Sequence, residues 1–457
     1  MKGFGKNFLC RTSFLHSFFI GFVYDSIRWE SLCLTQCHFM EVLNVEMDVP
    51  YHLPLLLDGA TGTNLIHREH MPLEQCPEQW ILQHPQALLS LQHDFVKAGS
   101  QVLLAPTFQA NALALEKYGL AAEDINLTER LVFLTKQASG GNTLVAGSIG
   151  PTGQGIEPFG KLRFQQIVDT YRRQVQAMRK AGVDLIVCET MTSLSDARAA
   201  LLAAKETGLP VFVSVVVTEE EEEMPDGTKL LCALAVLQSM GADAFGINCS
   251  GSPGQILPWF EKIAPYAQIP LLAKPNPGNP NPVNLGQYDL GPEIFAKEVG
   301  RLIDVGVSIV GGCCGTSPEH VHALANLIRN RSSRPLQHHP DEDEVLAASG
   351  HEAFFLREDM TMGEPLSCEL DMADDILEYE DSGFDILPVQ VETEDDAYHL
   401  GLNCHMFRLP VLIASHSFEL MEQSLFEFQG RALVDSQCGL ENDELYRLAK
   451  RYGAIVY

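Results

Sequence analysis

Three cysteines stand where two apolar, strand-like runs of the sequence end. Cys249 follows the run at residues 244–247, and the adjacent pair Cys313 and Cys314 follows the run at residues 308–310. Three thiolates are a soft ligand set that suits zinc, and three protein ligands leave a fourth position for water or substrate. A substrate thiol in that position would stay deprotonated and nucleophilic at neutral pH. The alternative is that these small side chains only pack the end of a core, where free cysteines are common.

Polar groups follow the ends of other apolar runs in the same sequence. Asp58 and Gly59 open a glycine-rich turn after the first run, and Glu189 follows the run at residues 185–188. Asn248 lies beside Cys249 in the chain. Glycines in such a turn let backbone N–H groups approach a ligand closely. These groups would share one site with the cysteines if the runs are strands that end at the same rim.

The order of the elements explains how residues so far apart in sequence could meet. From residue 51 to 330, amphipathic stretches end in a small or apolar residue plus glycine, and an apolar run follows, as after Gly182. Glycine at that position favours the left-handed end of a helix, and a continuous apolar run is typical of a parallel strand buried on both faces. Eight runs alternate with helical stretches in this way: residues 53–57, 101–105, 143–146, 185–188, 211–217, 244–247, 269–273 and 308–310.

This alternation predicts an α/β fold. Eight βα units within about 280 residues fit a (β/α)8 TIM barrel, whose sites lie at the C-terminal ends of the strands. The alternative is a doubly wound open sheet, which places ligands at the same ends of its strands. We favour the barrel and assign it to residues 51–334.

The cysteines and the polar groups carry a resemblance to the homocysteine S-methyltransferase family. This is the homocysteine-binding barrel shared by methionine synthases and betaine–homocysteine methyltransferases. The matching motifs are Asp-Gly-Ala-Thr-Gly-Thr at residues 58–63, Gly-Ile-Asn-Cys at residues 246–249 and Gly-Gly-Cys-Cys-Gly-Thr at residues 311–316. The resemblance extends from about residue 55 to residue 328.

The resemblance implies a role for each of these residues. It implies that zinc is bound by three thiolates, with the sulfur of homocysteine as the fourth ligand: Cys249, Cys313 and Cys314. It further implies that four residues hold the amino-acid end of the substrate: Asp58, Gly59, Glu189 and Asn248. Of these, Glu189 would pair with the ammonium group, and the turn after Asp58 would receive the carboxylate. No catalytic group beyond the metal site is implied, because the metal itself would keep the substrate thiol deprotonated.

The implied activity is a homocysteine S-methyltransferase that makes methionine. The resemblance leaves several methyl donors open: methylcobalamin on a separate corrinoid protein, methyltetrahydrofolate, S-methylmethionine, S-adenosylmethionine or a betaine. A second hypothesis belongs to another class of protein. In it, the chain is a truncated, non-catalytic module that binds homocysteine or a partner protein.

The composition changes near Arg334. Residues 335–457 carry 27 acidic and 6 basic side chains, and we interpret residues 335–388 as an acidic linker. Strand and helix signals return in residues 389–457, which we interpret as a smaller, incomplete α/β domain. Its segments at residues 429–436 and 448–454 are similar to the start of the pterin-binding barrel that follows this domain in cobalamin-dependent methionine synthase.

The composition of the whole chain excludes other classes of protein. A net charge of −29 argues against a nucleic-acid partner, because the phosphate backbone requires a basic surface. No run of 18 apolar residues occurs, which argues against a membrane-spanning helix. Twelve cysteines in 457 residues favour a reducing compartment, and we expect a cytoplasmic protein. We interpret residues 1–50 as a non-native or disordered extension before a start at Met40 or Met47; a poor signal peptide is the alternative.

Overall fold

The structure is a computed structural model that describes residues 53–218, 222–281, 288–329, 331 and 345–457. The predicted extension at residues 1–50 lies outside the described residues. Eight parallel strands form the first sheet: β1 (Leu55–Leu56), β2 (Val102–Ala105), β3 (Leu144–Ile149), β4 (Leu185–Met191), β5 (Val211–Val215), β6 (Ala244–Asn248), β7 (Leu271–Lys274) and β8 (Val307–Val310).

Helices follow these strands and surround the sheet. Their bounds are α1 (Thr61–Glu69), α2 (Pro77–Gln83), α3 (Pro85–Ala98), α4 (Ala112–Leu115), α5 (Asp124–Ser139), α6 (Phe164–Ala181), α7 (Leu194–Lys205), α8 (Leu230–Ser239), α9 (Pro253–Ile263), α10 (Pro292–Asp304) and α11 (Pro318–Ile328). Their apolar faces pack on the sheet. In α6, for example, the five apolar residues spaced three and four apart are all buried: Ile167, Val168, Tyr171, Val175 and Met178.

The strands close into a barrel. Their order is β1-β8-β7-β6-β5-β4-β3-β2, and two bonds join the ends of this series. The amide of Gln101 donates to the Leu56 carbonyl oxygen at 2.8 Å, and the amide of Leu104 donates to Asp58 Oδ2 at 2.9 Å. The predicted (β/α)8 barrel is therefore confirmed, and the open doubly wound sheet does not apply.

Local sequence accounts for this regular alternation. Gly182 ends α6 with a positive φ of 83°, and Gly306, which precedes β8, has a φ of 113°. A side chain would strain the backbone at either position, so glycine reverses the chain there at low cost. The apolar runs that follow become strands whose alternate residues fill the inside of the barrel; Leu57, Val187 and Phe212 belong to that inner core.

A second α/β unit follows from residue 345. Its strands are β9 (Leu346–Ala348), β10 (Ala353–Phe355), β11 (Leu366–Ser367), β12 (Leu387–Gln390), β13 (Val411–Ala414), β14 (Leu433–Val434) and β15 (Ile455–Val456). Its helices are α12 (Ala373–Asp381), α13 (Glu394–Asn403), α14 (Phe418–Glu427) and α15 (Asn442–Tyr452). Strands β11 to β15 form a parallel five-stranded sheet in sequence order, and β9 and β10 form a separate antiparallel pair.

The interpretation of residues 335–388 as an acidic linker needs correction in its described part. Residues 345–388 contain β9, β10, β11, α12 and the start of β12. In α12 the acidic residues Asp374 and Asp375 occupy the first turn, while Ile376 and Tyr379 are buried in the core of the second unit. The acidic composition suggested a linker because it does not distinguish a linker from a helix that exposes acidic side chains on one face and buries apolar side chains on the other.

The second unit packs against the outer helices of the barrel. Arg198 on α7 is completely buried there, and its guanidinium donates to Gln429 Oε1 at 2.8 Å and to the Leu425 carbonyl oxygen at 3.1 Å. The rings of Phe164 and Phe426 are 4.9 Å apart between their centroids. Among the described residues, no helix is long and apolar enough to cross a membrane.

Candidate functional site

The three predicted cysteines meet at the rim of the barrel. Cys249 directly follows β6, and Cys313 and Cys314 follow β8. The Sγ atoms of Cys249 and Cys314 are 3.7 Å apart, and all three sulfurs lie within 4.8 Å of one another. No other group of three potential metal ligands this compact occurs within the described part of the chain. The sulfurs meet because β6 and β8, which are separated only by β7, end at the same rim of the barrel.

The backbone around the cysteines is tightly held. The amide of Cys249 donates to the Lys274 carbonyl oxygen at 3.2 Å, and the amide of Cys313 donates to the Pro275 carbonyl oxygen at 3.0 Å. Cys249 has a positive φ of 57°, which is uncommon for a residue with a side chain. Gly312 has no room for one, since a Cβ there would lie 2.2 Å from Thr316 Oγ1. Unfavourable backbone of this kind is concentrated at functional sites.

Asn248 connects the cysteines to the end of β4. Its Oδ1 accepts hydrogen bonds from the Thr190 amide at 2.7 Å and from Ser214 Oγ at 2.8 Å. Its Nδ2 donates to Thr190 Oγ1 at 2.7 Å and lies 3.6 Å from Cys313 Sγ. These bonds hold Thr190 at a positive φ of 60°. The side chain of Asn248 is thus occupied by protein groups and aligns the strand ends beneath the sulfurs.

A buried group of charges lies beside the cysteines. Glu189 Oε1 accepts from Ser148 Oγ at 2.6 Å, and Glu189 Oε2 accepts from Lys274 Nζ at 2.5 Å. Asp58 Oδ2 accepts from the Leu104 amide, but Asp58 Oδ1 is buried with no hydrogen-bond partner among the described residues. Burial raises the pKa of Asp58 to about 7, although the nearby Lys274 ammonium lowers it. A buried carboxylate oxygen without a donor is costly, and a ligand ammonium would supply one.

The thiols fit a soft metal ion. Hydrogen bonding with Cys249, together with burial, raises the pKa of Cys313 to about 12, although hydrogen bonding with Cys314 lowers it. Without a cation, this thiol is therefore protonated at neutral pH, and a metal ion would bind by displacing the proton. Asn276 Oδ1 is a further buried oxygen with no hydrogen-bond partner among the described residues. Thiolates are among the ligands that bind zinc, and three protein ligands leave the fourth tetrahedral position open for a ligand.

These groups line one cavity of about 380 Å³. The cysteines, Asp58, Glu189 and Lys274 lie along it together with an apolar wall that includes Met71, Ile81 and Phe108. Gly59 also lines it, and a Cβ at this position would lie 2.8 Å from a ring carbon of Phe95. The volume is within the range of small-molecule sites, about 300–1,000 Å³.

The structure adds residues that sequence reasoning missed. Ser148, Thr190 and Lys274 hold or neutralise the predicted groups, yet none was assigned a role from the sequence. Lys274 carried a usable signal, because it is a charged residue directly after an apolar run at a strand end. Ser148 and Thr190 carried none, since small hydroxyl residues are common at such positions.

Comparisons with known proteins indicate one family. The family model for homocysteine S-methyltransferase matches residues 55–328, more than half of the chain. Methionine synthase of Mycobacterium leprae (strain TN) is 30% identical over 287 residues, which are 59% of this chain and 24% of that protein. Methionine synthase of Mycobacterium tuberculosis (strain ATCC 25618 / H37Rv) is 28% identical over 323 residues, which are 66% and 27% of the two chains. The chain thus spans about a quarter of the length of these curated relatives.

Solved structures give the same relationship. The oxidized form of the homocysteine methyltransferase MmuM from Escherichia coli is 25% identical, with a TM-score of 0.51. The similarity covers 60% of this chain and 95% of that one. The metallated form of MmuM is 24% identical with a TM-score of 0.51, and it covers 62% and 98% of the two chains. At 24% identity, the similarity to the metallated form shows a shared fold.

Proposed function

The chain belongs to the homocysteine S-methyltransferase family, and from this premise we propose that it methylates the sulfur of homocysteine to give methionine. The observation that carries the proposal is the meeting of three cysteine sulfurs with a buried carboxylate group in one cavity. The sulfurs suit a thiol-binding metal, and the carboxylates suit the ammonium of an amino acid. A homocysteine molecule presents both groups at opposite ends.

The residues proposed to hold zinc are Cys249, Cys313 and Cys314. Zinc bound there would act as a Lewis acid that keeps the substrate thiol deprotonated at neutral pH. The three cysteines leave room on the cavity side because all of them line it. The strained backbone at Cys249 and the bonds of Asn248 fix the direction of the sulfurs before the substrate arrives.

The amino-acid end of homocysteine is proposed to lie between Asp58 and Glu189. The unpartnered Oδ1 of Asp58 would accept from the substrate ammonium, and this ion pair would keep Asp58 ionised. Glu189, fixed by Ser148 and Lys274, would complete the negative environment of that ammonium. Backbone N–H groups in the turn that begins at Gly59 would receive the substrate carboxylate.

The proposed reaction is a direct displacement at the methyl carbon. The thiol proton leaves before the transfer, and the sulfur then donates an electron pair to the methyl carbon. A new sulfur–carbon bond forms while the bond between methyl group and donor breaks, and its electron pair stays with the donor. No further proton has to move, so no general base is needed in the cavity.

The donor is the finer part of the proposal. We propose a methylcobalamin or methyl-folate route, with S-methylmethionine as the alternative small donor. The support for the first route is the likeness to methionine synthases, together with a second unit whose segments resemble the start of a pterin-binding barrel. We also propose a cytoplasmic location, which suits the free cysteines of the described part of the chain.

A turnover assay with each donor in turn tests the proposed function. The full chain should convert homocysteine to methionine with one of methylcobalamin on a corrinoid protein, methyltetrahydrofolate, S-methylmethionine, S-adenosylmethionine or betaine. Cys313→Ala should abolish both zinc retention and turnover, because two sulfurs no longer complete the ligand set. Cys438→Ala, which removes a buried thiol of the second unit, should keep both. Full turnover by a metal-free Cys313→Ala protein would contradict the proposal.

A further inference from the structure

We propose that Lys274 is a substrate-binding residue that pairs with the carboxylate of homocysteine; this inference rests on the proposed function. Lys274 ends β7, and its side chain is 4% exposed. It lines the same cavity as the three cysteines and the two carboxylates.

Lys274 contacts both the strand end that carries Cys249 and the carboxylate of Glu189. Its backbone pairs with Asn248 across β6 and β7, and its carbonyl oxygen accepts from the amide of Cys249. Its ammonium reaches Glu189 Oε2 at 2.5 Å. A thiol ligand held at the cysteines would therefore extend its amino-acid end toward this ammonium.

The ammonium of Lys274 retains unused donors. A lysine ammonium has three N–H donors, and Glu189 is the one hydrogen-bond partner it has among the described residues. The cavity lies alongside, so a ligand can accept from the remaining donors without breaking the pair with Glu189. Hydrogen bonds between an ammonium and a carboxylate are stronger than hydrogen bonds between neutral groups.

The balance of charge in the cavity gives Lys274 its specific role. Three carboxyl side chains line the cavity, those of Asp58, Glu78 and Glu189. Lys274 is the one lining residue, of those described, with a basic side chain. A substrate carboxylate entering among acidic groups would be repelled unless a cation offsets them. Lys274 supplies that cation, and it adds to the N–H groups of the turn at Gly59.

Lys274 is proposed to bind the carboxylate of homocysteine and not its amine. Thiols that lack one of these two groups therefore provide the test. Homocysteine carries both groups, 4-sulfanylbutanoate keeps the carboxylate without the amine, and 3-aminopropane-1-thiol keeps the amine without the carboxylate. Binding of each thiol is measured on the full chain loaded with Co²⁺, whose absorption changes when a thiolate becomes a ligand. This readout does not depend on the methyl donor.

The variants isolate the charge of the side chain. Lys274→Met keeps the length and removes the charge, and Lys274→Arg keeps the charge. Lys262→Met removes an exposed lysine of α9 that pairs with Glu222, outside the cavity, and serves as the matched control. The double variant Lys274→Met with Glu189→Gln removes both members of the buried pair, which relieves the unpaired carboxylate that Lys274→Met alone would leave.

We expect Lys274→Met to weaken homocysteine and 4-sulfanylbutanoate by about 10- to 100-fold, because one buried charge-assisted bond is lost. Binding of 3-aminopropane-1-thiol should not weaken, since this thiol never used the bond and its ammonium loses a neighbouring like charge. Lys274→Arg should recover most of the lost affinity, and Lys262→Met should match the unaltered protein. Because Glu189 is proposed to receive the ammonium, the double variant is compared with Glu189→Gln alone. The added loss of Lys274 should weaken homocysteine and 4-sulfanylbutanoate but not 3-aminopropane-1-thiol.

Equal losses for all three thiols, or no loss for any, would overturn the role of Lys274 and leave the proposed function standing. Failure of the unaltered protein to bind any of the three thiols at its metal would overturn the proposed function, and the inference with it. The two failures are therefore distinguishable in one set of titrations.

Discussion

At the scale of single residues, the site depends on side chains that align the proposed ligands as much as on the ligands themselves. Asn248 makes bonds to Thr190 and Ser214 and reaches toward Cys313, so one amide fixes the ends of three strands. Residues that orient metal ligands in this way affect metal affinity although they never touch the metal. The sequence resemblance placed Asn248 at the substrate, whereas its contacts in the structure are to protein groups.

Replacement of Asn248 tests this view. Asn248→Ala leaves the Thr190 amide and the Ser214 hydroxyl buried without partners, which should lower the free energy of unfolding by about 2–4 kcal/mol. Zinc affinity should fall by about 10- to 100-fold. Chelator competition measures the affinity and urea denaturation the stability. Asn126→Ala, an exposed position on α5, is the control, and equal zinc affinity in both variants would contradict the role of Asn248.

The residues of the site were predictable from the sequence only where their type is rare at a strand end. The pair Cys313 and Cys314, flanked by glycines, is such a signal, and Asp58 and Glu189 are charged groups after apolar runs. The sequence could not reveal that Glu189 is already paired with Lys274, because that pair joins residues 85 positions apart. Pairings of this kind depend on the curvature of the closed barrel.

At the scale of elements, helix α14 carries a half-buried carboxyl group, that of Glu427, that makes stability depend on pH. Burial raises the pKa of Glu427 to about 7, although the nearby Arg198 and Arg163 lower it. The folded protein therefore holds this proton more tightly than the unfolded chain, whose ordinary pKa is 4.5. It follows that the free energy of unfolding falls as the pH rises from about 4.5 to about 7 and levels off above that range.

Glu427→Gln should remove this dependence. Between pH 4.5 and pH 7 the unaltered protein should lose about 1–3 kcal/mol from this group, and the variant should lose correspondingly less. Urea denaturation at a series of pH values gives both slopes. Glu419→Gln alters an exposed carboxylate on the same helix and should keep the original slope. Parallel curves for the protein and Glu427→Gln would show that this carboxyl group is not the cause.

The elements of the barrel were predictable because their pattern is simple. Glycine after a helix, followed by a continuous apolar run, predicted five of the eight strands, and Gly182 and Gly306 have the expected positive φ. The other three strands were predicted from their apolar runs. The return of strand and helix signals in residues 389–457 was also predicted correctly, since β13, β14 and β15 lie there. The strands and helix α12 within residues 345–388 were missed, since short strands of two or three residues leave no periodic pattern and the acidic content suggested a linker.

At the scale of the whole molecule, the second unit is joined to the barrel through a buried arginine. Arg198 donates to Gln429 and to the Leu425 carbonyl oxygen, while its Nε has no partner among the described residues. Burial lowers the pKa of this guanidinium to about 10. The residue therefore gains hydrogen bonds and packing but bears a large desolvation cost, which a neutral side chain of similar length would avoid.

This balance predicts a graded response to substitution. Arg198→Ala should lower the free energy of unfolding by about 3–5 kcal/mol, because it leaves a cavity and unpaired acceptors between the two units. Arg198→Met should cost less, since it keeps the volume and removes the buried charge. Arg179→Ala, an exposed arginine on α6, serves as the control for urea denaturation. A destabilisation by Arg198→Ala no larger than that of the control would contradict a structural role for this interface.

The central claim is that Cys249, Cys313 and Cys314 hold a zinc ion to which the homocysteine sulfur binds. Metal analysis of the purified full chain, followed by X-ray absorption at the zinc edge with and without homocysteine, tests it most directly. We expect one zinc per chain with three sulfur neighbours, and four after homocysteine is added. Protein that retains no zinc, or a zinc whose surroundings do not change with homocysteine, would contradict the claim and favour a non-catalytic binding module.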